Sequence, residues 1–235
     1  MAEAAVVPVV NRLVARLPRK DRLRLLARCS TVDLVFGDVL CEPDQLFQNV
    51  YFPLTGFISL VTTVSDHQPL EMGLIGDEGM LGATLALGVD TAPLRAVVQG
   101  SGTALRMPAA HLRQELRSCP SLLRSLKLYL YVLMAQLSQT AGCTRFHDIE
   151  ARLARWLLMT HDRAHADHFH LTHEFLANML GVRRSGVTVA AGALQKSGLI
   201  HYTRGEIQIL DRTGLEHVSC ECYGAVIDDY ARLLA

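Results

Sequence analysis

The chain has 235 residues, 50% of them hydrophobic and 20% charged, enough for one large or two modest domains at roughly 150 residues each, which excludes a disordered chain. Lys plus Arg equals Asp plus Glu at 23 each, so bulk charge draws the chain neither to nucleic acid nor to an anionic membrane, and any such binding must come from a local patch. No apolar run approaches the roughly 20 residues that cross a bilayer, and the start lacks the ordered regions of a secretion signal, so a cytoplasmic protein with no membrane partner is expected.

Between Val9 and Cys29, leucines at helical spacing alternate with basic residues and Pro18 marks a break, which predicts two short helices. From Thr31 to Met107 the chain changes to short Val, Ile, Leu and Phe runs punctuated by Gly, Pro and Asp, the pattern of an antiparallel β barrel or roll. After Pro120 a helix returns. Leu123, Leu126, Leu130, Leu133 and Leu137 alternate three and four residues apart, a seam suited to a homodimer contact, while Leu122, Leu128, Tyr129 and Val132 remain to cover the β unit. Gly142 and Cys143 predict an interruption before "RFHDIEARLARWLLMTHD", an amphipathic helix with Leu153, Trp156, Leu157 and Thr160 on one face. The expected division is therefore 1–118 for a β-roll sensor, 119–142 for a dimerisation helix and 143–235 for a further domain.

That further domain contains "LTHEFLANMLGVRRSGVTVAAGALQKSGLIHYTRGEIQIL". Thr172 suits an N-cap, Phe175, Leu176, Met179 and Leu180 share a face, and Gly181 sits where a left-handed residue bends the chain. A second helix carries Val187, Ala190 and Leu194 on one face and Arg183, Arg184, Ser185 and Thr188 on the other. "LIHYT", a turn at Arg204-Gly205 and "EIQIL" then predict a hairpin, so the whole reads as a winged helix-turn-helix. Arginine forks at the start of the second helix suit guanine edges in the major groove of double-stranded DNA, with Ser185 and Thr188 beside them. Thr172 and Arg204 are placed to hold phosphates.

The β roll with its "VYFPLTG", the long helix, "HDIEARLARWLL" and the winged unit together resemble the Crp/Fnr family of bacterial transcription regulators over nearly the whole chain. The resemblance implies an α+β fold with an N-terminal antiparallel β roll and flanking helices, a long dimerisation helix and a C-terminal winged helix-turn-helix. It further implies a homodimer on a palindromic site, a nucleotide-like effector at the roll, and RNA polymerase as a partner of an activator. In members that bind cyclic AMP a Gly-Glu pair holds the ribose and an Arg-Ser or Arg-Ala pair holds the phosphate. This chain has "GDEGMLGATLALGVDTAPLRAVV": Arg95 and Ala96 fit the phosphate end, only Asp77 or Glu78 is available for the ribose, and the segment between is long. The departure argues against cyclic AMP and leaves an anionic small molecule as the effector, with no cofactor otherwise expected.

Other chemistries find less support in the residues. The six cysteines, Cys29, Cys41, Cys119, Cys143, Cys220 and Cys222, are scattered and expected to be reduced and mostly buried, and no close N-terminal cluster suggests iron–sulfur ligation. His161 and His165 have helical metal-ligand spacing, but "HDRAHADHFH" reads as a polar connection, His67 as a solvated turn residue, and "GLEHVSCECYGAVIDDYARLL" as a packing helix on which Cys220 and Cys222 point apart, so no metal is expected. No phosphate loop, nucleophile elbow or HExxH motif offers a catalytic centre. The rival to a DNA-binding regulator is a nucleotide-regulated scaffold acting through protein contacts, which Arg183, Arg184 and Arg204 on one surface argue against.

Overall fold

The computed structural model describes residues 11–65 and 67–234, so the part of the first predicted helix before Asn11 lies outside the described residues. Two short helices come first among the described residues, α1 (Arg12–Ala15) and α2 (Arg19–Leu26), separated at Pro18. Asn11 caps α1, and its fully buried amide donates to the carbonyls of Pro53 at 3.0 Å and Gly79 at 2.8 Å, which ties the helix to the sheets behind it.

Among the described residues the β unit has seven strands: β1 (Ser30–Leu34), β2 (Val39–Cys41), β3 (Asn49–Pro53), β4 (Phe57–Thr62), β5 (Leu70–Ile75), β6 (Arg95–Gly100) and β7 (Gly102–Pro108), with a 3₁₀ turn at Ala83–Leu87. They form two antiparallel sheets, β1-β7-β3 and β2-β6-β4-β5, around a core that includes Val50, Phe52, Ile58, Met80, Val98 and Met107. Gly56, in the "VYFPLTG" stretch, has φ +71°, and a Cβ there would stand 2.3 Å from the carbonyl oxygen of Gly100, so the turn closes only over glycine.

After α3 (Ala109–Ser118), the long helix α4 (Pro120–Phe146) starts with proline at its first position and runs through Gly142. The expected break thus falls at His147–Asp148, where extended backbone caps α4 and opens α5 (Ile149–Ala164). One interior glycine costs roughly 1 kcal/mol against alanine, and packing of α4 against β5 and the C-terminal helix offsets that. The leucine seam needs correcting. Leu126 is fully buried in the roll core, Leu130 and Leu133 are half-buried against it, and the Leu137 side chain reaches over Gly73 of β5. The exposed stripe of α4 is instead Lys127, Tyr131, Met134, Ser138, Ala141 and Arg145.

The C-terminal part comprises β8 (His168–His170), α6 (His173–Leu180), α7 (Arg184–Lys196), β9 (Ile200–Thr203), β10 (Glu206–Ile209), α8 (Arg212–Val218) and α9 (Cys222–Leu234). The polar connection read before Leu171 ends in a strand: β8 completes an antiparallel sheet in the order β8-β10-β9, with Phe169 half-buried between exposed His168 and His170. The predicted tail helix is two helices. Ser219 ends α8, Cys220 lies in the connector and only Cys222 begins a helix, so the two cysteines do not diverge around one axis. None of the described helices is long and apolar enough to cross a membrane.

Helix α5 is buried on nearly every side from Arg152 to Thr160, because it lies between the roll and the winged unit. Phe57 and Leu74 of the roll share a core with Leu153, Trp156 and Leu157. Polar links accompany them. Glu71 of β5 accepts hydrogen bonds from Ser59 Oγ at 2.6 Å and Trp156 Nε1 at 2.7 Å, and Gln136 of α4 accepts from the Leu74 amide at 2.8 Å.

Candidate nucleic-acid interface and sensor site

Thr172 Oγ1 accepts from the Phe175 amide at 3.1 Å and so caps α6, as its position in the sequence requires. Gly181 ends α6 at φ +62°, with a would-be Cβ 2.8 Å from Leu70 Cδ1, so any side chain there meets both backbone strain and the β4–β5 hairpin. The chain then turns into α7 with Val187, Ala190 and Leu194 buried. Arg183 at the cap, Arg184, Ser185, Thr188 and Val189 are exposed, and Val189 leaves 74% of its surface open, which removes packing as its role. Thr188 is engaged within the protein: its hydroxyl bonds His173 Nδ1 at 3.0 Å and the Arg184 carbonyl at 3.1 Å.

Sequence reasoning missed His173. Its ring stacks on Tyr202 of β9 at 4.3 Å and 12°, locking the first helix of the motif to the wing. Burial and the neighbouring Arg184 guanidinium hold it below the usual imidazole value. At the wing tip Arg204 and Gly205 both have positive φ, +50° and +88°, the signature of a two-residue hairpin turn, and the exposed Arg204 side chain projects from it.

The four effector residues expected at the roll are not brought together. Arg95 Nε lies 3.2 Å from Glu42 Oε1, Asp77 pairs with Arg12 at 3.1 Å, and Glu78 pairs with Arg163 of α5 at 2.7 Å. Ala96 is fully buried in the roll core. Among the described residues no ion pair joins Arg95 to either carboxylate of the Gly76–Gly79 turn. The long segment after that turn is the physical reason: it returns to Arg95 through a 3₁₀ turn, and the carboxylates face α1 and α5 instead.

The Glu78–Arg163 pair is almost wholly buried, and Arg163 also donates to the Met159 carbonyl at 2.9 Å. Burial alone would lower the guanidinium's pKa, but the Glu78 carboxylate together with Tyr230 and Asp162 outweighs it and pushes Arg163 up. Beside this pair opens a cavity of about 460 Å³, lined by Arg12, Arg16, Glu78, Arg163, Arg212 and Tyr230 among others. A second cleft of about 730 Å³ separates the β4–β5 hairpin, with Thr62 and Leu70, from Gly181, Arg183 and Arg184. Sequence reasoning missed Arg163 and Arg212, whose roles depend on contacts far along the chain: Arg212 pairs with Asp162 at 2.8 Å and donates to the Tyr223 hydroxyl.

A β roll coupled through a long helix and a buried ion pair to a winged helix-turn-helix is the build of a sensor-linked DNA-binding regulator. The family model described as cyclic nucleotide-binding domain matches residues 32–119, and that described as Crp-like helix-turn-helix domain matches residues 151–218. Solved structures of similar fold include a putative transcriptional regulator of the Crp/Fnr family from Eubacterium rectale (TM-score 0.68, 16% identity, 88% of this chain and 96% of that one). FixK2 from Bradyrhizobium japonicum gives a TM-score of 0.67 at 15% identity over 82% and 98%. The c-di-GMP responsive regulator CLP from Xanthomonas campestris gives 0.66 at 17% over 82% and 99%. No curated protein matches this sequence. The chain belongs to the Crp/Fnr family of transcription regulators, which are not enzymes.

Proposed function

We propose that the chain works in the cytoplasm as a homodimer that reads an inverted-repeat DNA site with α7 and answers to an anionic, nucleotide-like effector. The observation that carries this reading is the set of exposed side chains Arg183, Arg184 and Ser185 at the start of α7, flanked by Thr172 on α6 and Arg204 on the wing. Arginine forks there suit guanine O6 and N7, and Val189 suits a thymine methyl. Two half-sites lie about one helical turn, roughly 10 base pairs, apart in such an arrangement. The dimer contact is assigned to the exposed stripe of α4 around Tyr131 and Met134, flanked by the half-buried Leu123 and Leu137. If the regulator activates, RNA polymerase is a further partner.

Selection from a random DNA library tests the reading. Arg184→Ala relaxes the preference at one symmetric pair of positions, whereas Arg204→Ala weakens all sequences alike and flattens the salt dependence. A library that returns no inverted repeat overturns the assignment and favours a scaffold. For the effector, thermal-shift screening against cyclic mononucleotides, cyclic dinucleotides and acyl-coenzyme metabolites identifies a ligand, which at a hundredfold excess over its Kd adds about 2.7 kcal/mol. Loss of the shift in Arg95→Ala places it at the roll, and loss in Arg16→Ala places it in the cavity at the joint.

A further inference from the structure

Three thiols and an imidazole converge at the elbow between α4 and α5, and neither DNA reading nor effector sensing uses them. We propose that Cys143, His147, Cys220 and Cys222 form a tetrahedral site for a thiophilic divalent cation of the zinc class. Their ligand atoms all lie within 4.8 Å of one another. Cys143 Sγ is 3.5 Å from Cys220 Sγ, and Cys222 Sγ is 3.4 Å from His147 Nδ1. Sulfur at about 2.3 Å and nitrogen at about 2.0 Å from a tetrahedral zinc stand about 3.8 Å (S to S) and about 3.5 Å (S to N) apart, so both pairs are within a few tenths of an ångström of the required spacing.

The surroundings match what such a site needs. His147 turns its other ring nitrogen, Nε2, to Glu221 Oε1 at 3.1 Å, the carboxylate–histidine arrangement that leaves the Nδ1 lone pair for a metal. Gln139 Nε2 donates to Cys222 Sγ at 3.0 Å. Arg155 and Arg152 of α5 act electrostatically on Cys143 and offset the excess negative charge of three thiolates around a dication. The cysteines are buried while the His147 side chain stays partly exposed, which gives an ion its entry path. Loading forms three metal–sulfur bonds and one metal–nitrogen bond and releases the thiol protons to solvent, so affinity falls as pH falls. A Cys143–Cys220 disulfide, the competing chemistry, would close the sulfurs to about 2.05 Å and leaves the geometry of His147, Glu221 and Cys222 without a use. An ion here pins the α8–α9 connector to the end of α4, next to the backbone break where the winged unit begins.

The test is cobalt titration of the full-length chain, reduced and anaerobic, followed by absorbance. The expected result is a thiolate-to-cobalt charge-transfer band with intense visible bands of tetrahedral cobalt, saturating at one ion per chain and bleached by zinc. Cys222→Ser and His147→Ala weaken binding about a hundredfold or more, Glu221→Gln weakens it about 10–100-fold, and Cys41→Ser and Cys119→Ser leave it unchanged. The site is refuted if the unsubstituted chain, folded by circular dichroism, gives no tetrahedral cobalt spectrum, or if Cys222→Ser gives the same spectrum. A non-reducing preparation in which Cys143 and Cys220 oxidise equally fast with and without zinc also overturns it. None of these readouts involves DNA, so failure of the site and failure of the DNA reading are separable.

Discussion

Glu71 holds a carboxyl group at the boundary of two domains with almost no water around it. Burial raises its pKa to about 7, against the lowering influence of its bonds to Ser59 and Trp156 and of Arg155 and Arg163. The folded value is above the unfolded one, so the contribution to stability is full below about pH 4.5 and is lost as pH rises through about 7, on the order of 3 kcal/mol. Glu71→Gln keeps an acceptor for Trp156 and a polar partner for Ser59 while carrying no charge. Its Tm is therefore expected to exceed that of the unsubstituted chain at pH 8 and to match it near pH 4.5; equal pH profiles for the two would exclude the buried acid as the cause. Arg204 stores strain of another kind, a non-glycine residue in left-handed conformation. Arg204→Asn is expected to raise stability by up to about 1 kcal/mol while weakening DNA binding of every sequence, measured by thermal melting and by titration with unrelated duplexes. Arg204 was legible from the turn dipeptide and Arg184 from its place at a helix start. Glu71 was not, because an acid alternating with apolar residues in a strand looks like an outward-facing position until another domain covers it.

At the scale of elements, α4 shows how far a repeat of leucines can be read. Leucines three and four residues apart mark the apolar face of a helix without saying what covers it. Here the roll takes Leu126, Leu130 and Leu133, and α9 takes another side through Gln136 and Tyr230. Leu126→Ala is expected to cost about 2–5 kcal/mol in denaturant unfolding, whereas Tyr131→Glu with Met134→Glu leaves that stability nearly intact and yields monomers in sedimentation at micromolar concentration. A doubly charged stripe that still dimerises would move the contact elsewhere. The winged unit was legible as a whole because cap, bend glycine, buried positions and hairpin fall in register over 40 neighbouring residues. Strand β8 and the break at Ser219 were not: each depends on long-range pairing or packing, and the local pattern around them is polar and weakly periodic.

At the scale of the whole molecule, the roll and the winged unit are joined by the buried ion pair of Glu78 with Arg163, beside the Glu71–Trp156 bond and a shared apolar core. Arg163→Met strands a carboxylate in that joint and is expected to cost about 3–5 kcal/mol, while Glu78→Gln combined with Arg163→Met recovers part of the loss. A double-mutant cycle by chemical unfolding checks this, and additive costs would mean the two side chains do not interact. Glu78 lies in the turn that the family resemblance assigned to an effector, yet in this chain it pairs with Arg163 of α5. Suppose a small molecule draws that carboxylate away and thereby changes the affinity for an operator by some factor. Thermodynamic reciprocity then requires the bound operator to change the affinity for the small molecule by the same factor. The cell's DNA becomes, in effect, an allosteric ligand of the sensor, and the threshold concentration to which the sensor responds is set by how many operators are occupied as well as by the roll itself.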